Sequence, residues 1–266
     1  MAITNDMLLR MLQCINSVWR RDTIADKSFL MLGKQEMHLD MAFMEILVES
    51  GLIDDSSKFG TDVLNDSVLF FKTVGFKEVY ALDVSKYEQA DIIFDLNDEL
   101  PKNLENRFDL VFDGGVIEHV FNVTNAFLNI CKMTKVGGYI INANPVYNYI
   151  HNTYWNMSPE MFVDFYSANK YKILDCSLIT FLSENEEKRA WKDRPVVWSP
   201  DVRLMSLRGG LCTGEYVRSL NRLCENPHPH TFIFSQKTNS DEFIYPIASG
   251  YAEKHKKYEV EMKNNS

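Results

Sequence analysis

The sequence has no basic excess. Its 28 lysines and arginines stand against 37 aspartates and glutamates, a formal charge of −9. Gripping a phosphate backbone takes a positive surface, so DNA and long RNA are not expected as partners. It also lacks any C-x-x-C pair. Cys14, Cys131, Cys176, Cys212 and Cys224 are odd in number and widely spaced, which fits reduced thiols in a cytoplasmic protein. Long uncharged apolar runs are missing too. Near the start, Met7, Leu8, Met11, Leu12, Ile15, Val18 and Trp19 form a helical stripe behind a cap at Thr4 or Asn5. Asp6, Arg10 and Gln13 interrupt it, so residues 1–26 are read as a helical cap rather than a signal peptide or membrane span. No membrane partner is expected. Finally, the run Phe29-Leu30-Met31-Leu32-Gly33-Lys34-Gln35-Glu36-Met37 enters a turn with one glycine where nucleotide-binding loops carry two or three.

What is present is an ordinary globular composition, 45% hydrophobic and 24% charged, enough for one large domain with a real core. Short apolar runs at 29–32, 78–82, 91–94, 108–112, 139–142, 172–182 and 231–236 alternate with helical patterns at 37–50, 62–74, 123–133 and 158–169. Continuous apolar runs mark strands buried on both faces, hence an α/β protein with a largely parallel sheet and helices on either side. The last two runs are expected to form an antiparallel edge. Only 84–90 separate the second run from the third, short for a parallel crossover, so the third is either an extended crossing or chiefly a positioning segment. Residues 183–229 turn polar and irregular and are read as a lid or substrate-contacting insert.

Ligands of parallel sheets bind at the carboxyl ends of the strands, near the point where strand order reverses. There the sequence places Gly33-Lys34-Gln35, then Asp83, then Asp95-Leu96-Asn97, then Asp113-Gly114-Gly115 with Glu118-His119 beyond. A carboxylate such as Asp83 offers two oxygens at the spacing of a ribose diol. Asp95 and Asn97 suit an adenine edge. A nucleoside cofactor without pyrophosphate would also excuse the missing glycines, because the second glycine of a dinucleotide loop serves the pyrophosphate.

The runs YALDVS, IIFDLN, FDLVFDGGVIEHVFN and KVGGYIINANP resemble the class I S-adenosylmethionine-dependent methyltransferases, in particular small-molecule O-methyltransferases. The resemblance covers about residues 27–180 and implies a Rossmann-like seven-stranded sheet, mostly parallel, with an antiparallel last strand. It implies S-adenosyl-L-methionine as cofactor, with Gly33 under its methionine and ribose, Asp83 on the ribose, Asp95, Leu96 and Asn97 around adenine, and Asp113 and Gly114 along the methionine side. The family's first loop carries an acid and three glycines. Here Met31 stands for the acid, and the Leu-Gly-Lys-Gln sequence is similar to a loop of bacterial sugar and secondary-metabolite methyltransferases. Lys34 and Gln35 are then expected to offer side chains where relatives offer bare glycine.

A second region, from Asn144-Pro145 to the Ser158-Pro159 helix start, resembles the acceptor side of that subset, with Asn148, His151 and Tyr154 in it. A hydroxyl acceptor benefits from a base near neutral pKa, which makes His151 and His119 the catalytic candidates. Arg194 and Arg203 in the insert suit an anionic or sugar-phosphate acceptor. No metal is expected, since prolines interleave Cys224, His228 and His230 and no fourth ligand follows. The expectation is a single methyltransferase domain over 1–266 that methylates a sugar or sugar-linked oxygen in capsular polysaccharide or secondary-metabolite tailoring, with a homodimer left open. The rivals are a non-catalytic nucleoside-binding or scaffolding subunit and a nicotinamide-dependent oxidoreductase, which predicts G-x-G-x-x-G and an acid about 20 residues later.

Overall fold

The computed structural model describes residues 2–39, 41–86, 88–146, 153–180, 229–240, 242–249 and 251. Its strands are β1 (Ala2–Thr4), β2 (Ser28–Leu32), β3 (Glu36–His38), β4 (Glu78–Asp83), β5 (Ile92–Ile93), β6 (Phe108–Asp113), β7 (Thr134–Pro145), β8 (Lys172–Thr180) and β9 (Pro229–Gln236). Its helices are α1 (Asn5–Val18), α2 (Arg21–Ile24), α3 (Met41–Glu49), α4 (Thr61–Leu64), α5 (Ser67–Val74), α6 (Val123–Met133) and α7 (Pro159–Ala168).

Seven strands form one sheet in the order β5-β4-β2-β6-β7-β9-β8. From β2 the chain builds outward through β4 to β5, then returns to place β6 on the other side of β2. The reversal therefore falls between β2 and β6, whose ends are aligned by the pairing of Leu32 with Asp113. All pairings are parallel except those of β9, which runs antiparallel to both neighbours. The last two strands form the antiparallel edge expected of them, with β9 one place inside and β8 outermost. The chain steps from β7 through α7 to β8 and leaves a gap that the last strand fills.

β2 explains why the sheet has two covered faces. Its five residues are all buried, and alternate side chains go to opposite sides. Phe29 and Met31 join the cluster formed with α1, α3 and α5, including Phe43, Phe70 and Phe71. Leu30 and Leu32 join the other cluster, with Phe127 and Ile130 of α6 and Phe162 and Tyr166 of α7.

The helix expected over 62–74 is split. Asp66 breaks it by capping α5, accepting from Leu69 N–H at 2.9 Å. The helix expected from Met37 starts at Met41, because Glu36–His38 pair in parallel with Ala2–Thr4 as a separate two-stranded ribbon. The third core strand is the short positioning segment: only Ile92 and Ile93 pair with β4. Thr4 caps α1. Trp19, just past its far end, packs edge-on against Phe76 and Tyr139 near the amino ends of the strands, so α1 starts at their carboxyl ends. Arg10 clasps Asp175 of β8, with Nε to Oδ2 at 2.8 Å, and pins the helix there. Among the described residues no helix is long and apolar enough to cross a membrane, and no three His, Cys, Asp or Glu cluster as metal ligands.

Candidate functional site

At the carboxyl end of β2 the chain turns at Gly33, whose φ of +66° lies in the left-handed region that favours glycine. Gly33 N–H donates to Leu82 O at 2.7 Å, which locks the turn to β4. Gln35 is buried and folds back, giving its Nε2 to Leu32 O at 2.8 Å. A Cβ at Gly114 would stand 2.9 Å from Gln35 Oε1 and 2.7 Å from the Phe112 ring, so only glycine fits opposite this glutamine. Lys34 points elsewhere. Its Nζ lies 2.8 Å from Asp66 Oδ2, tying the loop to the start of α5. Met31, in the place where an acid was looked for, is wholly buried in the apolar core.

Asp83 ends β4 and closes an Asx turn, its Oδ1 accepting from Ser85 N–H at 3.0 Å. The adenine candidates form a separately braced loop. Asp95 Oδ1 accepts from both nitrogens of Asn97, and Asn97 Oδ1 accepts from Asn122 N–H. From α6, Asn125 Nδ2 donates to the carbonyls of Leu96, Asn97 and Asp98, and Asn129 Nδ2 to those of Leu96 and Asp98. Three asparagines spaced over one helix start therefore hold 95–98 in place. That role was not visible in the sequence, although Asn122, Asn125 and Asn129 follow a helical spacing that puts them on one face.

Asp113 is the centre of the site. It is 0% exposed and accepts from Asn142 and Asn144 of β7 and from the backbone N–H groups of Val116 and Ile117. Asn142 in turn accepts from Tyr166 of α7 at 2.6 Å. Asn144 also donates to Glu118 Oε2 at 3.0 Å, so one amide bridges two buried acids. Burial drives the Glu118 carboxyl up to about 8, and the nearby Asp113 adds to the shift. Burial also raises Asp113, against the pull of its four donors. Both acids are wholly buried, but four donors reach Asp113, which favours leaving the proton that the pair keeps on Glu118. Glu118 and Asn144 were placed by the sequence at the strand ends without a role, and Asn142 and Tyr166 were not among the candidates. The period-two spacing of Asn142 and Asn144 is the signal that could have found them.

His119 follows on the same 3-10 turn, Ile117–His119, and is exposed. The turn is tied to the next segment, since Tyr154 and Trp155 both donate their N–H to Glu118 O and Trp155 Nε1 donates to Val120 O. Tyr154, 67% exposed, stacks edge-on against Phe121, 72% exposed, at 5.7 Å. His119 and Tyr154 thus share one rim above the buried acids. Asn148, His151, Arg194, Arg203 and the insert 183–229, save its final residue Pro229 in β9, lie outside the described residues.

The sequence matches no protein-family model and no curated protein. Among solved structures it is similar to a protein of Bacillus halodurans C-125 named as a methyltransferase, at 12% identity and TM-score 0.45, over 87% of this chain and 99% of that one. It is similar to the O-methyltransferase of a trans-AT PKS multienzyme of Brevibacillus brevis in complex with S-adenosyl-L-homocysteine, at 13% identity and TM-score 0.43, over 85% and 71% of the two chains. It is also similar to the Haemonchus contortus phosphoethanolamine N-methyltransferase 2 in complex with S-adenosyl-L-methionine, at 13% identity and TM-score 0.41, over 86% and 52%. At such identities the likeness is one of fold, and what the protein does has to be read from its own strand ends.

Proposed function

We propose that this chain is an S-adenosyl-L-methionine-dependent O-methyltransferase acting on a small molecule. The observation that carries the reading is the assembly of Gly33, Asp83, Asp95 and Asp113 along one edge of the sheet, around the reversal between β2 and β6. A nucleoside fits it. Asp83 would take the ribose hydroxyls, and the braced 95–98 loop would flank adenine. Gln35, Asp113 and Gly114 would line the amino-acid end. The structure also holds buried oxygens without partners at that end, Gln35 Oε1, Glu118 Oε1 and Asn144 Oδ1, which a bound polar ligand would satisfy.

The cofactor supplies a methyl group on a sulfonium, and the protein's part is alignment and proton removal. His119 on the exposed rim can accept the acceptor's hydroxyl proton, with His151 as the other candidate. Tyr154 and Phe121 offer an aromatic wall for a sugar or sugar-linked group, and Arg194 and Arg203 would hold an anionic one. Capsular polysaccharide or secondary-metabolite tailoring in the cytoplasm is the setting this reading carries, with a homodimer as its open assembly.

Because the Gln35 side chain takes room near Gly114, a non-catalytic nucleoside-binding role is the second reading. Calorimetry with S-adenosylmethionine and S-adenosylhomocysteine tests the first. Micromolar binding of both is expected, and binding of neither at sub-millimolar concentration would sink it. Transfer of a labelled methyl group to a hydroxyl acceptor separates the enzyme from the binding subunit.

A further inference from the structure

The unpartnered amide oxygens at the strand ends are acceptors by construction, and Glu118 Oε1 becomes one when the acid gives up its proton. Asn144 sends its Nδ2 to Asp113 and to Glu118, so turning the amide over would set its oxygen against two carboxyl groups. Gln35 sends its Nε2 to a carbonyl, which fixes its orientation in the same way. What remains free is Gln35 Oε1, Asn144 Oδ1 and Glu118 Oε1, each buried and each without a partner among the described residues. They gather around Asp113-Gly114, one through the contact with Gly114 and two through the bridge to Asp113. Three acceptors beside a pair of acids call for a compact cation with three N–H donors. An α-ammonium is that group.

We propose that Gln35, Asn144 and Glu118 receive the α-ammonium of the aminoacyl end of the nucleoside ligand, with Glu118 as its counter-charge. This deepens the functional reading above and rests on it. The acid absent at Met31 is thereby supplied from the turn after β6. Asp113 on β6 and, more weakly and in the opposite sense, the chain's own amino-terminal charge act on Glu118, Tyr166 on α7 reaches the pair through Asn142, and His119 is exposed on the same turn. Among the described residues neither acid forms a salt bridge. Burial raises both carboxyls, so the pair keeps a proton in the free protein near neutrality, and the arriving cation displaces it to solvent. Binding of an aminoacyl nucleoside is coupled to the release of one proton.

The test compares S-adenosylhomocysteine with 5′-methylthioadenosine, which lacks the aminoacyl end. Calorimetry of the wild-type protein in buffers of different ionisation enthalpy should count close to one proton released with the first ligand and none with the second. Affinity for S-adenosylhomocysteine should rise by up to about tenfold per pH unit between pH 6 and 8. Glu118→Gln should flatten that dependence and weaken S-adenosylhomocysteine about tenfold or more, leaving 5′-methylthioadenosine within about twofold. If the wild type binds both ligands with no proton release and no pH dependence, the inference is overturned while the nucleoside reading stands. An equal loss for both ligands in Glu118→Gln overturns it too. If neither ligand binds the wild type, the nucleoside reading falls and takes this inference with it.

Discussion

Lys34 and Asp66 meet at 2.8 Å, so the residue after the β2 glycine is committed to the first turn of α5. Asp66 also caps that helix. Burial works against the Asp66 charge, but Lys34 and the Leu69 N–H outweigh it and hold the carboxyl below its ordinary range. Asp66→Ala loses cap and ion pair together and should cost about 1–2 kcal/mol, Lys34→Ala about 0.5–1 kcal/mol for a partly exposed pair. With the folded-state value lowered, the contribution is present above the usual carboxylate range and disappears as pH falls through it. Urea unfolding of both variants at pH 7 and pH 3 reads this directly, and the differences should shrink at the lower pH.

Asp83→Ala should weaken S-adenosylmethionine by tenfold or more, about 1.4 kcal/mol, because both ribose hydroxyls lose their acceptor. Asp83→Asn keeps one oxygen and should fall between. Unchanged affinity in calorimetry would mean that the ribose lies elsewhere.

Asn144→Ala removes a donor from two buried acids at once. The expected loss of stability is on the order of 2–4 kcal/mol, seen as a lower urea midpoint. The raised Glu118 makes a companion prediction. An acid that keeps its proton when folded favours the folded state below its unfolded value and loses that advantage as pH climbs toward about 8. Stability should therefore decline across that window with a slope of at most about 1.4 kcal/mol per pH unit, and Glu118→Gln should remove this component.

Arg10 and Asp175 join α1 to β8 across a largely buried contact. Arg10→Ala strands a carboxylate and should cost about 3 kcal/mol or more, whereas Arg10→Met with Asp175→Leu should regain most of it. Thermal melts of the two variants suffice. A single variant as stable as the wild type would show that the clasp is not what holds the helix.

His119→Ala and His151→Ala separate the candidate bases. The one that removes the acceptor's proton should lower kcat by about a hundredfold or more with cofactor affinity unchanged. If both keep wild-type turnover on a hydroxyl acceptor, no histidine base operates.

The strand ends were legible because β2, β4 and β6 are continuous apolar runs that stop at Gly33, Asp83 and Asp113. Helix α6 was legible to its boundaries, 123–133, because its apolar stripe is strong and Asn122 caps it. What escaped has a common physical origin. β1 and β3 are three-residue strands whose only reason to exist is each other, and nothing local to either segment announces the pairing. β5 keeps two residues because the short 84–91 connection leaves little chain to lay alongside β4. The amide network was hidden by its chemistry. Asn142, Asn144, Asn125 and Asn129 look like loop formers in a sequence, and only the fold turns their NH2 groups toward carboxylates and carbonyls.

The place of β9 bears on how the molecule is made. As the chain is synthesised, β7 is complete long before its neighbour on that side exists, and β8 has nothing to pair with at all. Seven pairs with β7 and eight with β8 form only when 229–236 slide between them. Until then the twelve-residue β7 presents an open apolar edge, the sort that recruits strands from other chains. The strand that arrives last works as a wedge, and its absence would leave half a sheet looking for a stranger.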